Sequence, residues 1–308
     1  LGGEFGRTDW MDNGLVRVLF RADGRFDIMD HSTGRHIIGA GRLEDSEDAG
    51  DSYDWSAGGH PVPQAAGRGE KMHERVLAID SRFADMDETN RQVYLTIEQQ
   101  DDWTATVRLH IAWALPARFD DSTQTRSQEM EWNTIDHYIT LRSGHSMVEV
   151  ETWVNNSCED HRLRLHVPTG VDAKKVHAGA AFDVIERPAN WPHLSDWEQP
   201  HVPTQHFSDL LMAEEKGGGI ALFCPGSNEY EAITGDDGTT LAITLLRSTG
   251  YLSRDGFASR RNRAGPVFAA PGAQCKGAIC TRWALMAYED DWAEANIHQV
   301  AETYACQA

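Results

Sequence analysis

The sequence lacks paired cysteines, long apolar runs and a surplus of basic residues, and each absence excludes a class of protein. Its five cysteines form an odd set without Cys-x-x-Cys spacing, which argues against a disulfide framework and a cysteine-based zinc site. No apolar run reaches the roughly 18 to 20 residues that a membrane-spanning helix needs. Lys and Arg total 28 against 48 Asp and Glu, and the net charge of -20 disfavours nucleic acid and membrane surfaces as partners. We therefore expect a soluble protein of the reducing cytoplasm.

Several familiar catalytic motifs are also missing. The sequence contains no Gly-x-Ser-x-Gly elbow, no His-Glu-x-x-His pair and no phosphate-binding glycine loop. The N-terminus lacks a signal-peptide pattern, and because it starts at Leu1 we expect a piece of a longer polypeptide. A retaining glycosidase needs two carboxyl groups about 5 Å apart, and the many carboxylates here single out no pair.

Strict alternation of apolar and polar residues dominates what is present, and it predicts half-buried strands in antiparallel sheets. Asp-Gly turns at residues 23–24 and 237–238 predict hairpins. Only the tail shows helical spacing, on a face formed by Ala293, Ile297, Val300, Ala301 and Tyr304. The sequence therefore predicts an all-β fold, a large antiparallel β-sandwich with a short C-terminal helix. The alternating segments lie around residues 93–97, 107–113, 135–141, 148–154, 163–167, 241–245 and 283–287.

Two long regions, residues 39–69 and 187–207, are rich in Gly, Asp or Pro and are predicted to be irregular. The second contains His193, His201 and His206, together with Asp196, which could in principle meet around zinc. Their spacings match no compact ligand motif, so we interpret them as solvated loop histidines.

The acidic stretch at residues 44–55 combines several carboxylates with Tyr53 and Trp55. Such a stretch suits sugar hydroxyls with an aromatic face for the ring, or a hard cation, or it is simply a solvated loop. Further along, Arg254 and Asp255 could present donors beside an acceptor at a strand end, or form an ordinary surface ion pair.

An ordered set of stretches resembles the C-terminal region of glycoside hydrolase family 38, the α-mannosidases and related mannosylglycerate hydrolases. Residues 13–35 look like the first strands of that region, with His31 where the family has Lys. "DAGDSYDW" at residues 48–55 is similar to the family's Gly-Asp-x-Tyr segment. The stretches at residues 243–254, 264–266 and 271–274 follow in the family's order.

The resemblance implies a galactose-mutarotase-like β-supersandwich that covers residues 1–308 and packs, in the intact enzyme, against an upstream β/α barrel. The barrel would supply a divalent metal, usually zinc, and the nucleophile, so no catalytic residue and no metal ligand are assigned to this segment. The implied partners are the chain's own barrel and a mannose-containing glycan. An apolar face left exposed without the barrel would favour a homo-oligomer.

The resemblance also implies that the β region lends a Tyr and an Arg to the rim of the active site. By motif position these roles fall on Tyr53 and Arg254, with Asp51 and Asp255 as neighbours. Because the segment after Arg254 departs from the family's Ser-Arg-x-Asp-Leu pattern, Arg260 and Arg261 compete for the Arg role.

Two other interpretations remain open. A free-standing carbohydrate-binding module would use Trp55, Trp191 and Trp197 as stacking platforms. A self-contained sugar epimerase or lyase would need a His oriented by a carboxylate in a cleft of the sheet.

Overall fold

The computed structural model describes residues 10–58, 90–190, 202–256, 260 and 262–306. Antiparallel β-strands dominate this part of the chain, and one α-helix, α1, covers Ile297–Cys306. A short 3-10 helix lies at Pro271–Gln274. The strands are β1 Trp10–Asp12, β2 Val16–Phe20, β3 Phe26–Asp30, β4 His36–Ala40, β5 Arg42–Glu47, β6 Arg91–Gln100, β7 Thr104–Pro116, β8 Phe119–Asp120, β9 Thr125–Arg126, β10 Met130–Arg142, β11 Val148–Asn156, β12 His161–Pro168, β13 Lys175–Gly179, β14 Val184–Pro188, β15 Gln205–His206, β16 Asp209–Glu215, β17 Gly218–Cys224, β18 Glu229–Gly235, β19 Gly238–Arg247 and β20 Gly277–Tyr288.

The strands form one large sheet and three smaller ones. The nine-stranded sheet has the order β14-β13-β16-β17-β20-β11-β10-β7-β6, and the five-stranded sheet has the order β15-β18-β19-β12-β5. Strands β1 to β4 form a meander, and β8 pairs with β9. The predicted all-β antiparallel sandwich with a C-terminal helix is confirmed.

One apolar core joins the inward faces of these sheets. Alternate residues of β7 and β10, such as Leu109 and Ile135, bury their side chains against β12 and β19, represented by Leu165 and Ile243. The meander packs on the same core, where the Phe26 ring stacks on Trp283 with centroids 6.1 Å apart. The alternation of apolar and polar residues in the sequence therefore indicates which face of each strand is buried.

Among the described residues, α1 covers one end of the outward face of the nine-stranded sheet. Ile297 and Ala301 of α1 pack against Met212 and Phe223 of β16 and β17. The helix begins at Ile297 because Asn296 adopts φ +54°, and Ala293, predicted to lie on the helical face, precedes it and is exposed. Within the described residues, no helix is both long and apolar enough to cross a membrane.

The prediction that residues 39–69 are irregular is wrong over Arg42–Glu47, which form β5 at the edge of the five-stranded sheet. The strand is hard to recognise because its Asp45 is buried in ion pairs with His161 and Arg126 and so does not look like a core residue. His193, His201, Asp196, Trp191 and Trp197 lie outside the described residues.

Candidate functional site

The segment after β5, residues 48–58 and here called the acidic loop, turns its carboxylates inward. Asp48 Oδ2 accepts a hydrogen bond from Arg247 Nε at 2.8 Å, and its Oδ1 accepts from the backbone N–H of Gly50 at 3.0 Å. Burial raises the pKa of the Asp48 carboxyl above its ordinary value, and Arg247 opposes this shift. Asp51 Oδ1 caps the loop, accepting from the N–H groups of Tyr53 at 2.9 Å and Asp54 at 3.1 Å.

Asp51 also ties the acidic loop to the arginine loop, defined as the described part of residues 250–265. Its Oδ2 accepts from the backbone N–H of Arg254 at 2.9 Å and forms an ion pair with Arg260. Arg247, the last residue of β19, also holds the acidic loop, because its Nη2 donates to the backbone oxygen of Asp51 at 2.9 Å. Asp51 is fully buried, so its contacts in this structure are with the two loops and position the residues around it.

Tyr53 is an exposed aromatic side chain of the acidic loop, with 53% of its surface accessible. The guanidinium of Arg260 lies 5.7 Å from the centroid of the Tyr53 ring and also pairs with Asp54. A Cβ added at Gly265 would lie 3.1 Å from the hydroxyl oxygen of Tyr53. A glycine at this position therefore lets the two loops approach closely and leaves room for the phenol.

The Arg254 side chain, in the arginine loop, forms a forked ion pair with Asp121. Its Nη2 and Nη1 atoms donate to Asp121 Oδ1 at 2.7 Å and Oδ2 at 3.2 Å. The guanidinium also lies 5.1 Å from the centroid of the Tyr251 ring. Asp255 is turned into its own loop, where Oδ1 accepts from the N–H of Arg263 at 2.7 Å.

The structure thus brings Tyr53, Asp51 and Arg254 together, whereas Asp255 is exposed and bonded locally. Their contact with substrate remains a prediction. Sequence reasoning missed Asp121, which lies between β8 and β9 and has no local signal connecting it to Arg254. It named Arg260 only as a competitor, and the structure gives that residue two carboxylate partners.

Buried charged and polar side chains, here called the buried polar layer, pack against the acidic loop. The guanidinium of Arg162 lies 3.9 Å from the centroid of the Trp55 ring, and the Trp55 indole N–H donates to the backbone oxygen of Glu47 at 2.9 Å. One face of Trp55 is therefore occupied by the protein itself. Burial lowers the pKa of Arg162 to about 10, which still leaves it charged at neutral pH.

The described histidines do not form a metal centre. Among the residues that the structure describes, no group of three His, Cys, Asp or Glu side chains is placed to hold a metal ion. His161 contacts Asp45 at 2.6 Å and Asn156 at 2.9 Å, and His166 contacts Glu44 at 3.0 Å. These rings belong to the buried polar layer.

Exposed apolar side chains lie within and directly after the arginine loop. Val267 and Phe268 follow the arginine loop and are both exposed, as is Tyr251. The backbone of this segment is ordered against the loop, because Leu252 N–H donates to Phe268 O at 2.9 Å. A cluster of exposed apolar groups next to paired charges is typical of a surface that meets another domain.

Comparison with known proteins gives a consistent result. The family profile described as "Glycosyl hydrolases family 38 C-terminal domain" matches residues 11–252. A relative named mannosylglycerate hydrolase, from Halalkalibacterium halodurans, is 23% identical over 305 residues, which cover 94% of this chain and 30% of that protein.

Two solved structures from Enterococcus faecalis share the fold. An alpha-mannosidase is 23% identical with a TM-score of 0.75, covering 97% of this chain and 31% of its own length. A protein in glycosyl hydrolase family 38 is 23% identical with a TM-score of 0.74, covering 100% of this chain and 33% of its own length. The chain therefore spans about a third of the length of the relatives it matches.

Proposed function

The chain belongs to the family of glycosyl hydrolase family 38 C-terminal domains, and on that premise we propose that it is the accessory β domain of a retaining α-mannosidase-type hydrolase. In this role it completes the sugar pocket of a catalytic barrel. Tyr53 and Arg254 reach the sugar hydroxyls, and Asp51 and Asp255 hold the loops that present them. The observation that carries the proposal is that one buried carboxylate, Asp51, accepts hydrogen bonds from the backbone N–H groups of both Tyr53 and Arg254 and so holds their two loops together.

The chemistry of these groups suits recognition of a sugar. A phenol hydroxyl both donates and accepts a hydrogen bond, and a guanidinium presents several donors in a fixed plane. Asp121 holds the Arg254 guanidinium through two hydrogen bonds, so less conformational entropy is lost when a substrate binds.

The pairing of the carboxylates supports an accessory role. Asp48 is bound to Arg247, Asp51 and Asp54 to Arg260, and Asp121 to Arg254. A retaining glycosidase needs one ionised carboxylate as nucleophile and a second carboxyl with a raised pKa as acid and base. These four carboxylates are engaged with arginines, so we assign the nucleophile and the acid to the barrel.

The zinc that the family implies is likewise assigned to the barrel. The described residues offer no cluster of metal-binding side chains, so they do not fit such a site. The contribution of this chain is to bind hydroxyls and to exclude water from the pocket that the two domains form.

Kinetics of paired variants test the proposal. In the polypeptide that carries the barrel, we expect Tyr53→Phe and Arg254→Lys each to lower kcat/KM for an α-mannoside by about 10-fold, because each loses a hydroxyl contact. Arg118→Lys is the matched control, since Arg118 forms an exposed ion pair with Glu129. Unchanged kcat/KM in both site variants would refute the assigned contacts.

A further inference from the structure

The nine-stranded sheet carries a second surface that the proposed function does not use. Its outward face over strands β6, β7, β10 and β11 is here called the open face, because among the described residues α1 packs on β16, β17 and the C-terminal half of β20. The pairing places Tyr94, His110, Asp136 and Trp153 in one row across β6, β7, β10 and β11. Neighbouring strands lie about 4.8 Å apart, so the row spans about 14 Å.

A trough runs along the middle of the open face between β10 and β11. It consists of a cavity of about 550 Å³ and an adjoining cavity of about 380 Å³, which share Tyr138 and Glu151. The larger cavity is also lined by Asp136, Trp153 and Asn155. A site of this size accommodates one or two sugar rings.

The aromatic groups of the open face are exposed and held in place. Trp153 is 42% exposed, and its indole N–H donates to a carboxylate oxygen of Glu151, which fixes the ring beside the trough. Tyr94 and Trp132 are 56% and 55% exposed on the same face. An aromatic ring offers a flat apolar surface to the C–H face of a pyranose.

The polar groups around Trp153 have unused hydrogen-bonding capacity. Asp136 Oδ1 accepts from Arg108 Nε at 2.8 Å and contacts His110 Nδ1 at 2.7 Å, while Oδ2 has no hydrogen-bond partner among the described residues. The larger cavity is also lined by Thr134, Tyr138 and Asn155, whose side chains make no hydrogen bond to another described residue. Hydroxyl groups, which both donate and accept, match this mixture of donors and acceptors.

The charges of the open face favour a neutral ligand. Arg108 neutralises Asp136, and Glu149 pairs with Arg142 at 2.8 Å. Glu151 lies opposite Arg282 of β20, and both side chains line the smaller cavity. Acidic and basic side chains therefore alternate on this face, so a ligand with a net charge of either sign would be repelled by part of it, whereas a neutral polyol would not.

From these observations we infer that the open face binds a neutral oligosaccharide, with one sugar ring on Trp153 and its hydroxyls on Asp136 and Asn155. The residues that line the larger cavity of this surface lie on strands β10, β11 and β20, whereas Tyr53 and Arg254 lie in the acidic loop and the arginine loop. The inference therefore goes beyond the proposed function and does not depend on it. It adds a second sugar-contacting surface to the chain.

Titration of the 308-residue chain with α-mannobiose and with maltose, followed by saturation-transfer NMR and calorimetry, tests the inference. We expect saturable binding of at least one of these sugars. Trp153→Ala should weaken it by about 10-fold or more, because the stacking surface is lost, and Asp136→Asn should weaken it measurably. Trp103→Ala is the matched control, since Trp103 is 74% exposed on the turn between β6 and β7.

Three outcomes would overturn the inference. One is the absence of saturable binding of either sugar. Another is binding that Trp153→Ala leaves unchanged but Tyr53→Phe removes, which would place the sugar on the acidic loop. The third is self-association of the chain, seen by sedimentation, that Trp153→Ala abolishes while sugar binding is absent, because the face would then be an interface between copies.

Discussion

At the scale of single residues, burial determines the protonation of His137. This ring lies on the inward side of β10, where Nδ1 contacts Thr152 Oγ1 at 2.8 Å. Burial lowers the pKa of His137 to about 4. In the unfolded chain this histidine has its ordinary pKa near 6.5, so between pH 6.5 and pH 4 the unfolded chain binds a proton that the folded chain does not. The contribution of His137 to stability is therefore complete above pH 6.5 and is lost as the pH falls towards 4.

Replacing this histidine should flatten the acid limb of the stability profile. We expect His137→Leu to lose less free energy of unfolding between about pH 7 and about pH 4.5 than the parent chain does, by about 2 kcal/mol. Urea unfolding at both pH values measures the difference. His145→Leu, at an exposed position, is the control, and equal slopes for the parent and His137→Leu would contradict the account.

The loops of the candidate site should depend on the charge of Asp51. In Asp51→Asn the amide would face the donors of Arg254 and Arg260, and a buried ion pair would be broken. We expect a loss of about 3 kcal/mol in the free energy of unfolding. Asp172→Asn removes an exposed pair with Lys174 and should cost less than about 0.5 kcal/mol. A similar small cost for both variants would show that Asp51 does not hold the loops.

Only part of the candidate site could be predicted from the sequence. Tyr53 and Arg254 stand in short local motifs, so their proximity to Asp51 could be anticipated from the family resemblance. The partner of Arg254 is 133 positions away, and no pattern around Asp121 indicates the contact. The row of Tyr94, His110, Asp136 and Trp153 was also missed, because it depends on the register of four strands.

At the scale of elements, strands with one apolar face were predictable and strands with polar buried residues were not. β7 alternates strictly, with Val107, Leu109 and Ile111 all buried. β5 was not predicted, because its residues Asp45 and Ser46 are buried although their side chains are polar. The alternation of apolar residues marks positions where apolar surface is buried. It gives no signal where the buried residue is a charged side chain held in an ion pair.

The contact of α1 with the nine-stranded sheet gives a prediction for this element. Ile297 is fully buried against β16 and β17, whereas Gln299 on the same helix is exposed. We expect Ile297→Ala to lower the free energy of unfolding by about 3 kcal/mol, because it removes buried apolar atoms and leaves a cavity. Gln299→Ala should change it by less than about 0.5 kcal/mol. A cost below about 1 kcal/mol for Ile297→Ala would mean that the helix is only loosely docked.

At the scale of the whole molecule, the order of strands could not be read from the sequence. β20, near the C-terminus, inserts between β17 and β11, and β12 pairs with β5 across more than a hundred residues. Such pairings depend on the whole set of apolar faces that must be buried together. The two sugar-contacting surfaces proposed here are consequences of that arrangement, because each collects residues that are distant in sequence.

We propose above all that this chain serves a sugar pocket without supplying its catalytic groups. The most direct test is the hydrolysis of a chromogenic α-mannoside by the 308-residue chain, with and without added zinc, beside the same chain extended upstream through its coding region. We expect turnover only in the extended form, and a lower kcat/KM there for Tyr53→Phe. Zinc-dependent turnover by the 308-residue chain alone would contradict it, because a catalytic pair would then lie among the carboxylates assigned here to binding and structure.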